Sequence, residues 1–248
     1  MYIKIHIKQY IIRNTLLNND RINSISEVCT IDISKSSLKW LSTSAKNIKN
    51  FHGKPIIAYA IETAIKSGIF SSIIVSTDDD EIAEIAKHYG AEVPFLRSEG
   101  NSNDYATTSE VLLEVLNQLS ASGSTFSKAC CLYPTSPLID SEDLKLAFNQ
   151  FNSSDVDSLI SCVAYGFPIQ RSFHLTTNNL VELNQPEAIH QRSQDLVKNY
   201  HDAGALYFFD IEKFKETKTL WSGKIGAFEL SELKVQDIDT IDDWKIAE

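Results

Sequence analysis

A regular alternation of short apolar runs and amphipathic segments, beginning at Pro55, constrains this chain more than any other feature. PIIAYAIETAIKSG sets Ile57, Ala60, Ile61, Ala64 and Ile65 at helical spacing, with Pro55 suited to a first turn and Gly68 to a stop. SSIIVST reads as a short buried strand ending at Thr77, DDEIAEIAKHYG as a helix led by acids and closed at Gly90, and AEVPFLR as extended chain. TTSEVLLEVLNQLS is a further amphipathic helix, KACCLYPT a buried strand, SEDLKLAFNQF a capped helix, and DSLISCVAY and AGALYFFD are strands. Parallel strands need crossovers, and crossovers are usually helical, so the pattern predicts an α/β fold: a mainly parallel sheet with helices on both faces. Ligands in such sheets sit beyond the carboxyl ends of strands, which points to the stretches after Thr77, after Tyr133 and around Asp237. Between residues 167 and 198 the alternation lapses into FPIQRSFHLTTNNLVELNQPEAIHQRSQDLVK, expected to be a surface excursion, a lid or a dimerisation arm.

With 248 residues, 43% hydrophobic and 23% charged, the chain can bury one large core. Its formal net charge of -10 argues against nucleic acid or an anionic membrane as partner, because both require clustered Lys and Arg. Cys29, Cys130, Cys131 and Cys162 form neither a CxxC pair nor a Cys/His zinc spacing, so reduced thiols in a cytoplasmic protein are expected. No apolar run approaches the ~20 residues of a membrane span. The opening MYIKIHIKQYIIRNTLL interleaves Lys and His with its apolar residues, unlike a secretory leader.

Near the carboxyl end, VQDIDTIDDW places four aspartates within seven residues. If Val235 to Asp239 is a strand, Asp237 and Asp239 share one face while Ile238 points inward. Two like charges side by side repel unless a cation lies between them, and Mg2+ is commonly held by one or two carboxylates together with substrate phosphates. The alternative for this pair is a solvated turn. Thr240 and Asp243 have the capping-box spacing, so Asp242 and Asp243 are expected to open the final helix.

The segments FHGKPIIAYAIETA, IIVSTDDDEIAEIAKHYGAEVPFLR, NDYATTSEVL, LYPTSPL, RSQDLVKNYHDAGALYF and QDIDTIDDW occur in this order. Together they resemble the cytidylyltransferases that activate nonulosonic acids, the N-acylneuraminate family. LYPTSPL, PIQR, RSQDL and YHDAG look most like its pseudaminic acid branch. The resemblance runs from Lys46 to the carboxyl terminus, about four-fifths of the chain. It implies a homodimeric, Rossmann-like three-layer nucleotidyltransferase fold that joins CTP to a nine-carbon acidic sugar and releases pyrophosphate. By the same resemblance Asp237 and Asp239 hold Mg2+ and, with Lys46, serve catalysis. Lys46, Asn47, Thr77, Asp78, Arg97 and Thr108 approach the nucleotide, and Tyr133, Gln170, Arg171 and Arg192 approach the sugar. Tyr133 stands where sialic acid enzymes usually carry glutamine. Each assignment has a plainer alternative: Arg97 closing a strand end, Tyr133 as a half-buried core aromatic, and Gln170, Arg171 and Arg192 in surface or dimer contacts. For His201-Asp202 a structural hydrogen bond is favoured over a catalytic base.

Residues 46-248 are thus expected to form the cytidylyltransferase domain, with 167-198 as a dimerisation or sugar-site excursion. Residues 1-45 form a divergent segment. The family's glycine-rich basic loop is replaced by TIDISKSSLKWLSTSAKN, and no glycine stands between Met1 and His52. Ser37 and Lys39 are the candidate remnants of that loop. Glycine matters there because a Cβ restricts the positive-φ conformations that let backbone approach phosphate closely. The alternatives are a sialic or legionaminic acid cytidylyltransferase, a catalytically impaired relative that only binds nucleotide or sugar, and a DxD glycosyltransferase. The FHGK-to-FLR stretch speaks against the last.

Overall fold

A computed structural model describes residues 27-32, 43-103 and 105-248. YIKIHIKQYII and the Ser37 and Lys39 positions lie outside these residues. In chain order the elements are β1 (Glu27–Asp32), α1 (Thr43–Ile48), β2 (Asn50–Phe51), β3 (Lys54–Pro55), α2 (Ile56–Ser67), β4 (Ser72–Ser76), α3 (Asp80–His88), α4 (Thr108–Ala121) and β5 (Lys128–Leu132). They continue with α5 (Ser141–Ser153), β6 (Ser158–Ala164), β7 (Phe173–Leu175), β8 (Val181–Leu183), β9 (Tyr200–Asp210), α6 (Ile211–Thr217), β10 (Ile225–Glu229) and α7 (Ile241–Ala247).

The central sheet has the order β10-β6-β9-β5-β1-β4. Strand β1 pairs in parallel with both β4 and β5, and β10 pairs in parallel with β6, whereas β9 runs antiparallel to both of its neighbours. The chain leaves β1 for β4 on one side and returns to β5 on the other, so the switch in winding direction falls between β1 and β5. A ligand crevice is expected beyond their carboxyl ends.

Side-chain alternation along the strands divides the interior into two layers. Ile57, Ile61, Val75, Ile82, Cys130 and Phe208 belong to one core, and Ile74, Leu112, Leu116, Cys131, Phe209 and Phe214 to the other. Helices α2, α3 and α5 therefore cover one face while α4 and α6 cover the other, the three-layer α/β arrangement that the alternation predicts. Cys130 and Cys131 point to opposite faces and are fully buried, as packing residues. Phe208 anchors the first layer against Phe70, Phe148 and Phe151, with ring centroids 5.7–6.2 Å away.

Helix ends obey local chemistry. Asp79 caps α3 by accepting from Glu81 and Ile82 amides, and Thr107–Glu110, Asp140–Asp143 and Thr240–Asp243 form capping boxes at α4, α5 and α7. Helix α2 ends at Gly68 in the left-handed region. The β2-β3 hairpin turns at His52 and Gly53, whose φ angles of 45° and 95° belong to the mirror-image two-residue turns that suit strand twist. This turn sets Phe51 into a small third core with Ile56, Ile238, Trp244 and Ala247. Phe51 meets Trp244 edge to face at 5.4 Å, and the Lys49 ammonium lies 4.1 Å from the Trp244 ring centroid. The carboxyl-terminal acid segment is thereby fastened beside α1.

Two elements differ from expectation. AGALYFFD is only the second part of an eleven-residue strand, because antiparallel pairing with β6 carries the polar YHD into the sheet. Val235 to Asp239 belongs to no strand, although Val235 itself has extended backbone angles. AEVPFLR, expected as extended chain and not as a strand, joins the sheet through a single parallel bridge from Glu92 to Ile74. Among the described residues no helix is long and apolar enough to cross a membrane.

Candidate active site

A cleft of about 700 Å³ opens at the switch point. Its walls come from α1 (Lys46, Asn47), the turn after β5 (Tyr133, Pro134, Thr135), the end of β6, the start of β9 (His201 to Gly204) and the acid segment (Val235 to Asp237, Asp239). Because β9 is reversed, its first residues meet the carboxyl ends of β5 and β6, which brings the HDAG stretch to the rim.

Helix α7 shapes the acid segment through its first turn. Asp243, the third residue of α7, accepts from the Asp239 amide at 3.1 Å, from the Thr240 amide at 2.6 Å and from the Thr240 hydroxyl at 2.8 Å. These bonds hold the Asp243 carboxyl below its ordinary pKa. Gln236 Nε2 donates to the Asp237 carbonyl at 3.0 Å, and Ile238 is fully buried in the third core. Asp237 and Asp239 are left on the cleft side, so side-chain alternation survives without a ladder. Asp237 is open to solvent yet sits in a concavity; partial loss of hydration, then the neighbouring Asp239, push its pKa up, and Lys46 opposes that shift. Lys46 is 6% exposed, with Nζ 3.7 Å from Asp239 Oδ1. Burial lowers its pKa while Asp239, Asp237 and Asp243 act in the opposite sense.

Lys234 fixes the other end of this segment. It stands on the 3-10 turn Glu232–Lys234 and donates to Asp140 Oδ2 at 2.8 Å and to both oxygens of Asp143 at 2.8 and 2.9 Å. These contacts join the acid segment to the amino end of α5, where Asp143 is only 8% exposed. Lys234→Met is expected to cost about 1–3 kcal/mol by stranding a nearly buried carboxylate. Denaturant unfolding measures this cost, and Asp143→Asn in the same chain should restore part of the loss.

Among the residues expected from sequence, Lys46, Asn47, Tyr133, Asp237 and Asp239 share the cleft. Thr108 is joined to it through a 2.6 Å hydrogen bond between its hydroxyl and that of Tyr133. Asp78 and Arg97 line a neighbouring hollow of about 560 Å³ with Glu99, Ser102 and Asn103. The buried Arg97 guanidinium donates to Ser76 Oγ at 3.1 Å and to the Ser76 carbonyl at 2.5 Å, so it braces the end of β4. Thr77 is fully buried, and its hydroxyl accepts from the Asp79 amide at 3.1 Å, shaping the entry to α3.

Gln170, Arg171 and Arg192 lie in the 167-198 excursion, outside the cleft. Gln170 donates to the Val197 carbonyl at 2.8 Å, Arg171 to Ser193 Oγ at 3.0 Å and to the Gln191 carbonyl, and Arg192 forms a two-pronged pair with Asp195 at 2.7 and 3.1 Å. Sequence reasoning did not single out Gln236, Thr135 or the organising role of Asp243. Only the capping-box spacing of Asp243 signalled it, and that spacing says nothing about Asp239.

Comparison with known proteins places this geometry in context. The family model described as Cytidylyltransferase matches residues 44–229, beginning just before Lys46 and ending before the acid segment. A pseudaminic acid cytidylyltransferase of Campylobacter jejuni is 40% identical over 202 residues, covering 82% of this chain and 87% of that protein. A CMP-N,N'-diacetyllegionaminic acid synthase of Legionella pneumophila is 28% identical over 206 residues, covering 82% and 88%. A solved CMP:2-keto-3-deoxy-manno-octonic acid synthetase in complex with CTP superposes with a TM-score of 0.61 at 16% identity, over 90% of this chain and 95% of that one, which shows a common fold. With the family model spanning most of the sheet and Lys46 seated at its switch point, the chain belongs to the cytidylyltransferase family.

Proposed function

We propose that this protein transfers CMP from CTP to a nonulosonic acid, pseudaminic acid by preference, and releases pyrophosphate. The observation that carries the proposal is the Lys46–Asp239 pair at 3.7 Å, in a switch-point cleft that also holds Asp237 and Tyr133. The 40% identity to the Campylobacter enzyme favours pseudaminic acid over the legionaminic and sialic alternatives.

The donor set fits Mg2+. Asp237 and Asp239 are hard oxygen donors; partial loss of hydration and then their mutual repulsion raise the Asp237 pKa, and a divalent cation removes that repulsion. Among the described residues no group of three or more His, Cys, Asp or Glu side chains could hold a metal ion by itself, so phosphate and water would have to complete the shell beside these two carboxylates. Bound there, the ion would supply charge compensation for the phosphates. The protein's own part is alignment and electrostatics. Lys46 and Asn47 face the nucleotide, and Lys46 offsets charge on the triphosphate. Thr108 fixes the Tyr133 hydroxyl against the sugar, with Arg97, Thr77 and Asp78 shaping the adjoining nucleotide side. The anomeric hydroxyl attacks the α-phosphorus; a C–O–P ester forms, the Pα–O bond to pyrophosphate breaks, and the hydroxyl proton is released. Such a step needs positioning and charge stabilisation rather than a protein nucleophile.

The proposal includes residues 46-248 as the catalytic domain, a cytoplasmic setting and a homodimer. Supporting the last, the excursion exposes Phe167, Phe173, Leu175, Leu180, Val181 and Val197; the proposal assigns Gln170, Arg171 and Arg192, in the same excursion, to contacts between copies or with the sugar of an associated copy. The experiment is pyrophosphate release from CTP and Mg2+ with pseudaminic, legionaminic and sialic acids in parallel. Pseudaminic acid should give the highest kcat/KM. A folded protein that binds CTP and releases pyrophosphate with none of them would reject turnover.

A further inference from the structure

The start of β9 carries a feature that the nucleotidyl-transfer chemistry does not use. Pairing of β9 with β6 runs regularly from Tyr200 to Asp202, then shifts register, so that Asp202 opposes Cys162 while Tyr207 opposes Ile160. The chain bulges between these points. Gly204 takes φ of +59°, a conformation in which glycine meets no steric penalty. The Leu206 amide donates to the Ser161 hydroxyl at 3.1 Å. Bulges of this kind re-aim side chains beside active sites.

Here the re-aimed side chain is Asp202. Its carboxylate folds back along its own strand, and the Tyr207 hydroxyl donates to it at 2.8 Å from either oxygen, while the Gly204 amide donates to Oδ1 at 2.9 Å. Tyr207 is buried and meets Tyr133 edge to face at 5.7 Å. Asp202 nevertheless remains exposed and lines the cleft, and among the described residues no Lys or Arg forms an ion pair with it. A carboxylate offers about four acceptor positions, and one hydroxyl proton and one amide proton leave some of them for a ligand. The result is a rigidly held, acceptor-only group on the cleft wall, with Lys46 as the cation of the same cleft.

We propose that Asp202 is a specificity-determining residue that accepts a hydrogen bond from an N–H or O–H donor on the sugar, at the part remote from the sugar's own carboxylate. This rests on the cytidylyltransferase reading. A nonulosonic acid presents one carboxylate together with hydroxyl and acylamino groups. The fixed negative charge of Asp202 repels the former and accepts from the latter, so it favours the orientation of the sugar that turns the carboxylate away from this wall of the cleft.

The test compares the wild type, Asp202→Asn and Tyr207→Phe in pyrophosphate release, with CTP and sugar varied separately and melting temperature recorded. Asp202→Asn keeps an acceptor for Tyr207 and Gly204 but loses the charge. It should raise the KM for pseudaminic acid about tenfold or more, with the KM for CTP and the melting temperature little changed. Tyr207→Phe, which frees the carboxylate to rotate, should raise the sugar KM by less. An unchanged sugar KM in Asp202→Asn, or equal rises for sugar and CTP, would overturn the proposal. If the wild type itself makes no CMP-sugar, the functional reading fails separately, and calorimetry of pseudaminic acid binding to the same proteins decides this one: weaker binding to Asp202→Asn sustains it, and equal binding, or none to the wild type, overturns it.

Discussion

Replacing Asp237 and Asp239 together by asparagine should leave a folded protein whose pyrophosphate release is slower by about a thousandfold or more, the scale on which removal of key transition-state electrostatics acts. The substitutions conserve shape. The backbone amide of Asp239 still reaches Asp243, Ile238 still fills the core beside Phe51 and Trp244, and Thr240 still caps α7. Global stability should fall only modestly, because relief of the Asp237–Asp239 repulsion is set against loss of the carboxylates that compensate the nearly buried Lys46 ammonium. What disappears is the means of gripping a cation. Calorimetric titration with Mg2+ alone should show the site lost in the double variant, with each single variant intermediate. Unaltered metal affinity and unaltered turnover in the double variant would remove the basis of the proposed mechanism.

The sequence shows which side chains of the acid segment face the cleft more clearly than how that segment is built. Alternation alone puts Ile238 inside and its neighbours outside, and that outcome is the same whether the backbone pairs in a ladder or simply runs extended, so expecting a strand was wrong while the facing of both carboxylates was right. Helix positions were legible for a related reason: apolar residues at three- and four-residue spacing, with caps at Asp79, Thr107 and Asp140, specify a helix from local information. Tertiary pairing was not legible. β10 is a five-residue edge strand, IGAFE, with an exposed alternate face and too few apolar residues to mark it, and YHD joins β9 only because β6 supplies an antiparallel partner. The same limit explains the site. The family resemblance points to Lys46 and Tyr133 and alternation to Asp237, but the reach of Lys234 to Asp140 and Asp143, and the folding of Asp202 onto Tyr207, depend on contacts that no short motif encodes.

Lys46→Met should lower kcat/KM for CTP by about two to three orders of magnitude while the protein stays folded. Among the described residues Lys46 is the one Lys or Arg lining the cleft, which it shares with Asp202, Glu232, Asp237 and Asp239, so without it a triphosphate meets neutral polar groups and carboxylates with no lysine or arginine to offset its charge. Methionine keeps most of the buried volume, and Asp239, its side chain 51% exposed, stays solvated when the ammonium leaves; neither change strands a buried charge. Lys46→Arg should restore part of the activity, because the charge returns on a larger, forked group that does not match a point contact. The decisive contrast with the aspartate variants is one of sign. Removing a cation 3.7 Å from Asp239 should strengthen Mg2+ binding in the absence of nucleotide by a few-fold, whereas removing the carboxylates abolishes it. A Lys46→Met protein that binds Mg2+ at least as well as wild type yet fails with CTP would separate recognition of the nucleotide from recognition of the metal; one that turns over CTP within twofold of wild type would show that the phosphates are neutralised by other groups.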